Sequence, residues 1–411
     1  MLSILICVYN TDPAYLEECL TSIRRESISD YEICMLDDGS SIDYSLLVEK
    51  YGVRYKKTEN RGIFSARLAA IEMANGDYLA FFDSDDTVSF NYHLPMLRLA
   101  ESEGADIVMN DWAFHTENSR YFCQSDPTVS GDVSADGDGV IARFLSEGGA
   151  VHAYFVLWNK IYRRSLMLRV REELLCVASE KPGYNYSEDA MINFFAFKYA
   201  KKLRNLHTGY YFYRIHSSQS ISVTGHDRLA MHIDCMSYTL NKMRENLADH
   251  PDAIALIGRV NEWAGMMSRT HYSYSLAANH TDLYPVIKEK YGVDRLSRST
   301  LRDARANSKN VPLPQNFGVI DDALRAAWMA DTPTRVAIYD RFDYVTRILR
   351  LAAEFGHAIT TVKPTEEHDV EIPPARVSLK KRIMYSPIVY KTAMLLFRKG
   401  SKLRALLKKK M

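Results

Sequence analysis

The sequence predicts an α/β fold with a mostly parallel sheet and flanking helices, followed by a mainly helical C-terminal region and a basic tail. Short apolar runs alternate with helical patterns over about the first 110 residues, and this alternation indicates a parallel sheet covered on both faces. From residue 226 to about residue 360 the pattern changes to long helical stretches without strand alternation. Residues 376–411 then contain 12 Lys or Arg and no acidic residue.

The predicted strands are short runs rich in aliphatic and aromatic residues. In the first part of the chain they lie at 3–9, 31–36, 53–57, 78–82 and 105–110. Asp12 and Pro13 are typical of a helix N-cap and a first helical position, so a helix is predicted directly after the first strand. Later segments predict a strand at 155–164, a loop entering a helix over 184–200, and a strand with a Ser-rich loop over 209–222.

The length and the charge pattern predict three regions. A chain of 411 residues is long for one domain, so we expect one large domain with accessory material. The large domain is predicted at 1–225, a helical region for acceptor binding or oligomer formation at 226–362, and a Pro-containing linker with the basic tail at 363–411. Of the 52 Lys and Arg residues, 40 precede residue 376 against 51 acidic residues, so the body is acidic with a net charge of −11.

The cysteine pattern and the hydropathy predict a cytoplasmic protein. The six cysteines are scattered without a CxxC pair, which is typical of reduced thiols. The N-terminal segment lacks the basic start of a signal peptide, and no apolar run reaches the roughly 18 residues of a membrane span. Leucines among the basic residues of 376–411 predict an amphipathic helix on the anionic cytoplasmic membrane surface. The alternative is a solvated end, and no motif supports a nucleic-acid partner.

Three acidic residues follow the apolar run at 78–82. Asp83, Asp85 and Asp86 lie so close in sequence that their charges must be balanced. A turn explains one or two such residues, whereas three indicate a hard divalent cation or hydrogen bonds to a sugar or base. The cluster therefore predicts a ligand site at the end of a core strand.

Polar residues also follow the first two predicted strands. Tyr9 and Asn10 come after the first strand, and Asp37 and Asp38 come after the second. Because ligands of parallel sheets bind beyond the carboxyl ends of the strands, we expect these segments to converge with the acidic cluster. The sequence contains no GxGxxG or Walker A motif. This combination favours a nucleotide diphosphate whose charge is neutralised by a metal ion.

Six segments, taken in order and with their spacing, resemble family 2 glycosyltransferases of the GT-A fold. They are SILICVYN, YEICMLDDGSSID, NRGIFSARLAAIEMANGDYLAFFDSDD, WNKIYRR, SED and YRIHSSQSIS, within residues 1–225. The resemblance implies an inverting enzyme with Mn²⁺ or Mg²⁺ as cofactor. Such an enzyme would transfer a hexosyl or N-acetylhexosaminyl group from a nucleotide-sugar, UDP-linked, to a hydroxyl of a surface-polysaccharide or lipid-linked glycan acceptor.

The resemblance also implies a donor site at the strand ends. Tyr9 is expected near the nucleobase, Asp38 at uracil or ribose, and Arg61 near the nucleotide. The implied donor-binding residues are Cys7, Val8, Tyr9, Asn10, Asp37, Asp38, Arg61, Asp83, Ser84, Lys160 and Arg214. The segment CVYN departs from the small or polar residues or Pro usual at this place, which leaves the identity of the base open.

The implied metal ligands come from the DxD pair and a late histidine. Asp85 is expected to bind the metal, and Asp83 to contact either the metal or the nucleoside. His216 is the third implied ligand, although a single histidine has many structural uses. The sequence assigns no role to Asp86.

Glu188 and Asp189 resemble the acidic pair that precedes the acceptor-side helix. Inverting transfer needs a general base for the acceptor hydroxyl, and Asp189 is expected to be this base with Glu188 as its orienting neighbour. The alternative is a pair of acids at a helix N-terminus, and both interpretations can hold together. Trp158 and Asn159 are the implied acceptor-binding residues, with core packing as the alternative for Trp158.

Two other classes of function compete with this hypothesis. A Mg²⁺-dependent nucleotidyltransferase or phosphatase would also use the Asp cluster, although CVYNTD does not supply the nucleophilic Asp of an aspartyl-phosphate enzyme. A non-catalytic nucleotide-sugar-binding protein would need no base at Asp189.

Overall fold

The computed structural model describes residues 1–116, 121–124, 134–147, 152–215, 225–277 and 280–292, and three further strands at 317–320, 336–339 and 359–362. His216 and the predicted linker and tail at 363–411 lie outside the described residues. The metal-ligand role of His216 and the membrane role of the tail therefore stay predictions.

Strands and helices alternate through the N-terminal part of the chain. The described strands are β1 (Leu2–Val8), β2 (Tyr31–Asp37), β3 (Arg54–Lys57), β4 (Tyr78–Asp83), β5 (Thr87–Val88), β6 (Ile107–Thr116), β7 (Tyr121–Gln124), β8 (Ala135–Asp136), β9 (Lys160–Arg163), β10 (Lys202–Ile215), β11 (Phe317–Ile320), β12 (Val336–Tyr339) and β13 (Ile359–Val362). The described α-helices are α1 (Pro13–Arg24), α2 (Ser45–Tyr51), α3 (Ile63–Met73), α4 (His93–Glu103), α5 (Gly139–Glu147), α6 (His152–Phe155), α7 (Arg164–Glu180), α8 (Glu188–Tyr199), α9 (His226–Leu247), α10 (Ala253–Ala277) and α11 (Tyr284–Tyr291).

The predicted parallel sheet is confirmed at its centre. β1 lies between β2 and β4, β3 lies beyond β2, and all these pairs are parallel. β9 is inserted between β4 and β6 and runs antiparallel to both, which makes the whole sheet mixed. β10 pairs with β6 and also with β5, the short strand that follows the acidic cluster.

The register of the central strands places their carboxyl ends at one level. Cys7 of β1 lies opposite Asp83 of β4, and Val8 lies opposite Asp37 of β2. Residues Leu2 to Ile6 of β1 are almost fully buried. The apolar strands therefore hold the polar residues that follow them at a rigid edge.

The strand predicted at 155–164 is wrong in its first half. α6 ends at Phe155, and only Lys160–Arg163 forms a strand, β9. A short apolar run suits a buried turn or helix as well as a strand, so periodicity alone could not separate these structures.

The predicted helical region begins with α9, α10 and α11, which pack on the N-terminal part of the chain. The expectation that residues 226–360 contain no strands is wrong, because β11, β12 and the start of β13 lie there. The Trp263 ring of α10 lies 5.2 Å from the Phe144 ring of α5 and 4.8 Å from the Phe155 ring of α6. Its Nε1 donates to the backbone oxygen of Leu145 at 3.0 Å.

Within the part of the chain that the structure describes, no helix is long and apolar enough to cross a membrane.

Candidate active site

One buried arginine joins two acidic segments that are far apart in the sequence. Arg67 lies on α3 and is 5% exposed. Its guanidinium donates to Asp83 Oδ1 at 3.2 Å and to Glu188 Oε1 at 2.8 Å, and it also donates to Asp189. The end of β4 and the start of α8 are therefore held together by a single side chain.

Arg67 was not among the site residues predicted from the sequence. It lies three residues after Phe64 and four before Ile71, so the helical repeat places it on the same face as these apolar residues. A charged residue on an apolar helix face must find a partner, because an unpaired buried charge is costly. This position is the signal that could have identified Arg67 as the cation of the acidic site.

The carboxylates around Arg67 outnumber its single positive charge. Burial raises the pKa of Asp83 to about 6. Burial, together with the charge of Asp189, raises the pKa of Glu188 to about 8. Although burial alone would lower it, the charges of Asp189, Glu188 and Asp83 raise the pKa of Arg67 well above its ordinary value. The site therefore has an excess of negative charge that a further cation would offset.

Glu188 and Asp189 form the first turn of α8. The positive end of the helix dipole favours negative charge at this place, so both acids suit the helix terminus. The same position points their carboxylates at Arg67. The two acids therefore stabilise the helix terminus and also belong to the site.

The DSDD loop, Asp83–Asp86, is fixed by contacts with β10. Asp86 is fully buried, and its Oδ1 accepts from the backbone N–H of Arg214 at 2.6 Å. The Arg214 guanidinium donates to the backbone oxygen of Asp85 at 2.6 Å and to Glu18 Oε2 at 2.5 Å. Burial raises the pKa of Asp86 well above its ordinary value. Asp86 thus has a structural role, which the sequence did not reveal.

The segment after β1 presents an exposed aromatic ring. Val8 is buried, whereas Tyr9 is 56% exposed. Asn10 has a φ of 51°, and its Oδ1 accepts from the backbone N–H and the hydroxyl of Ser41. Burial raises the pKa of Cys7 to about 12, so its thiol is neutral. Tyr9 is the member of this segment with a surface suited to stacking on a base.

The two acids after β2 anchor neighbouring loops. Asp37 is fully buried and accepts from the Ser40 backbone N–H and from the Tyr55 hydroxyl, both at 2.7 Å. Asp37 thus braces these loops, and its predicted contact with a donor stays a prediction. Asp38 accepts from the backbone N–H groups of Arg61 and the following glycine, both at 2.8 Å. A contact of Asp38 with uracil or ribose would use its remaining lone pairs and stays a prediction.

Trp158, Asn159 and Lys160, which are predicted to bind acceptor or donor, are buried, and their binding roles stay predictions. Trp158 stacks on Tyr211 with ring centroids 4.4 Å apart. The Lys160 ammonium donates to Asn159 Oδ1 at 2.7 Å and to two nearby backbone oxygens at 2.6 and 2.5 Å. All three N–H donors of Lys160 are used inside the protein, and burial lowers its pKa well below the ordinary value.

Three other predicted donor residues lie at or near the loops of the site. Arg61 is exposed, whereas Ser84 is buried with its hydroxyl 2.7 Å from that of Thr11. Arg214 is buried and braces the DSDD loop. The contacts of these three residues with a donor stay predictions.

A divalent cation fits the DSDD loop as a partner of the substrate. Among the described residues, no group of three His, Cys, Asp or Glu side chains is placed to hold a metal ion by itself. Mg²⁺ and similar cations are often bound by one or two carboxylates together with substrate phosphates. Asp85, which is partly exposed, would supply one such carboxylate. Asp83, which pairs with Arg67, lies two residues before it.

Comparison with known proteins shows which family the N-terminal part of the chain matches. Residues 3–166 match the profile described as glycosyl transferase family 2. The mixed sheet, the flanking helices and the acidic loop after β4 agree with that match. The N-terminal part of this chain is a family 2 glycosyltransferase domain with the GT-A fold.

This chain matches only part of the length of its curated relatives. EpsH of Bacillus subtilis (strain 168), which carries glycosyltransferase in its name, is 32% identical over 224 residues, covering 53% of this chain and 62% of that protein. Chondroitin synthase of Escherichia coli is 37% identical over 91 residues, covering 21% of this chain and 13% of that protein. The structure of S. aureus TarS 1-349 in complex with UDP-GlcNAc is similar with a TM-score of 0.43 and 15% identity, covering 75% of this chain and 91% of that chain.

Proposed function

We propose that this chain is an inverting, metal-dependent glycosyltransferase that uses a nucleotide-sugar donor, with UDP as the nucleotide. The observation that carries the proposal is the contact of Arg67 with Asp83, Glu188 and Asp189. It brings the DxD segment, where a donor diphosphate would lie, next to the acid that would serve as base. The donor and the acceptor would then bind next to each other.

Asp189 would act as the general base of the transfer. Its carboxylate would take the proton from the acceptor hydroxyl while the hydroxyl oxygen attacks the anomeric carbon. The bond from that carbon to the diphosphate oxygen breaks on the opposite face, so the anomeric configuration inverts. Arg67 would hold the carboxylate of Asp189 in place through a charge-assisted hydrogen bond.

The leaving diphosphate needs positive charge, which the described acidic loop lacks. A divalent cation held by Asp85 would supply Lewis-acid stabilisation of that charge. The excess of carboxylates in the site supports such a cation, since each of them attracts it.

The acceptor is proposed to be a hydroxyl of a surface polysaccharide or a lipid-linked glycan. The support is a relative named for the synthesis of chondroitin, which is a polysaccharide. We further propose that the enzyme works at the cytoplasmic face of the membrane, with residues 376–411 binding anionic lipid. Binding to phosphatidylglycerol vesicles that is unchanged after truncation at Pro374 would contradict the membrane part of the proposal.

Release of UDP from a panel of UDP-sugars in the presence of Mn²⁺ tests the catalytic part. We expect release with at least one donor, and a decrease of about 100-fold or more in Asp189→Asn. Asp252→Asn, which changes an exposed acid elsewhere, is the matched control. No release with any donor, or full activity in Asp189→Asn, would count against the proposal. Release of pyrophosphate from a nucleoside triphosphate and a sugar phosphate would instead support a nucleotidyltransferase.

A further inference from the structure

The loop before α8 ends in a strained residue that directly precedes the acidic pair. Ser187 has a φ of 61°, in the left-handed region that non-glycine residues rarely adopt. The next two residues are Glu188 and Asp189. The conformation of Ser187 therefore sets the direction in which α8 starts and the position of both carboxylates. Such a conformation persists only where the surrounding contacts hold it.

A threonine of α9 supplies those contacts. The Thr239 hydroxyl lies 2.6 Å from the Ser187 hydroxyl and 2.5 Å from the Tyr184 hydroxyl. It also donates to the backbone oxygen of Cys235 at 2.9 Å. A threonine hydroxyl has one hydrogen and two lone pairs, so Thr239, which donates within α9, accepts from Ser187. The Tyr184 hydroxyl lies against both residues, since it also donates to the backbone oxygen of Ser187 at 3.1 Å. Thr239 itself is fully buried.

The rest of the loop is held from both sides. The Tyr186 ring stacks on His232 of α9 with centroids 3.7 Å apart. The Tyr184 ring meets Phe64 of α3 edge-on at 4.9 Å. At Gly62 a Cβ atom would overlap the Asn185 side chain, so the loop also packs tightly on the start of α3. The loop is thus clamped between α3, which carries Arg67, and α9.

We propose that Thr239 is a positioning residue for Asp189, acting through Ser187 and so connecting the C-terminal helices to catalysis. The inference depends on the proposed role of Asp189 as general base. The family profile match ends at residue 166, so it extends to neither α8 nor α9. The helices after residue 225 then affect the reaction indirectly, because one of them fixes the loop that orients the base.

Steady-state kinetics of the full chain with the UDP-sugar that the wild type hydrolyses fastest test this inference. Thr239→Val keeps the branched shape and removes the hydroxyl. We expect its kcat to fall about tenfold or more, as small misplacements of reacting groups cause. The KM for the donor should not change, because Thr239 lies against the loop that precedes the base. Thr239→Ser restores the hydroxyl and should recover most of the lost kcat.

Ser237→Ala is the matched control on the same helix. Ser237 is also buried, and its hydroxyl donates to the backbone oxygen of Lys290, away from Ser187. This variant should lose stability without losing kcat in the folded protein. If Thr239→Val does not fold, Ser187→Ala serves instead, since it removes the hydroxyl that lies 2.6 Å from the Thr239 hydroxyl. A wild-type kcat in a folded Ser187→Ala would then overturn the positioning role.

The outcomes separate this inference from the proposed function. An inactive wild type, or full activity in Asp189→Asn, would remove the proposed function and the positioning role with it. An active wild type that needs Asp189, together with a folded Thr239→Val of wild-type kcat, would overturn the positioning role alone. A loss of kcat that Thr239→Ser does not restore would also overturn it.

Discussion

At the scale of single residues, the main feature is the guanidinium of Arg67 among three carboxylates. A planar guanidinium offers five N–H donors in a fixed arrangement, so it can contact several acids at once. Arg67 uses this property to contact Asp83, Glu188 and Asp189 while almost fully buried. The same contacts leave the site short of positive charge, which suits a substrate that arrives with a cation.

Arg67→Lys keeps the positive charge of Arg67 and removes the planar shape of the guanidinium. One ammonium group cannot replace the forked donors, so we expect the variant to fold and its kcat for UDP release to fall about 100-fold. Arg67→Met should lose about 3–5 kcal/mol of stability, because the buried carboxylates are left without their partner. Urea unfolding and UDP release measure the two effects. A fully active Arg67→Met would show that Arg67 has no part in the site.

Lys160 is a residue of the family motif that has structural contacts in the core. The segment WNKIYRR resembles the family pattern, but the fold places its Lys and Asn side chains against each other in the core. Lys160→Met should leave several buried acceptors unpaired and lower the free energy of unfolding by roughly 1–3 kcal/mol. The KM for the donor should stay at the wild-type value. An increased KM with unchanged stability would instead support the predicted contact of Lys160 with the donor.

At the scale of elements, the strands before the site were predictable and the contacts between distant elements were not. β1, β2 and β4 follow from apolar runs that end in polar residues, and alternation with helices predicts their parallel order. β9 could not be predicted as the antiparallel neighbour of β4 and β6, since pairing depends on the path of the chain between them. The DxD segment and the acidic pair were identified separately, and only the fold brings them to one arginine.

The contact between α9 and the loop before α8 contains a histidine that should make stability depend on pH. Burial, with the charge of Arg228, lowers the pKa of His232 to about 4, against about 6.5 in an unfolded chain. Between these values the unfolded chain binds more protons. The free energy of unfolding should therefore fall by about 3 kcal/mol as the pH drops from 7 to 4 through this residue.

His232→Phe isolates that effect, because phenylalanine keeps a ring against Tyr186 and cannot take a proton. Urea unfolding at pH 7 and pH 5 should show a smaller loss of stability in the variant than in the wild type. His271 remains in both proteins, and burial together with the charge of His232 lowers its pKa to about 3, below both pH values of the experiment. An identical pH dependence in the two proteins would mean that His232 does not titrate on unfolding.

At the scale of the whole molecule, the described C-terminal helices behave as part of the N-terminal domain. Trp263 is 3% exposed and lies against α5 and α6. The sequence marked a boundary near residue 225 from a change of pattern, but periodicity shows which face of a helix is apolar without showing what covers that face. The close packing of α10 on the N-terminal part of the chain therefore could not be predicted from the sequence.

Trp263→Ala should reveal this packing as a loss of stability of the whole unit. Removing a buried tryptophan costs about 3–5 kcal/mol, and we expect one thermal transition, shifted to lower temperature, by circular dichroism. Ile254→Ala, which changes an exposed side chain on the same helix, is the control. Two separate transitions would show that the C-terminal helices unfold independently of the N-terminal domain.

The anomeric configuration of the transferred sugar tests the proposed transfer most directly. An α-configured UDP-sugar, Mn²⁺ and a panel of alkyl glycosides would be followed by proton NMR with the wild type and Asp189→Asn. Direct attack by a hydroxyl that Asp189 deprotonates predicts a β-linked product with the wild type and almost none with the variant. An α-linked product, or equal formation of the β-linked product by Asp189→Asn, would contradict the proposed role of Asp189.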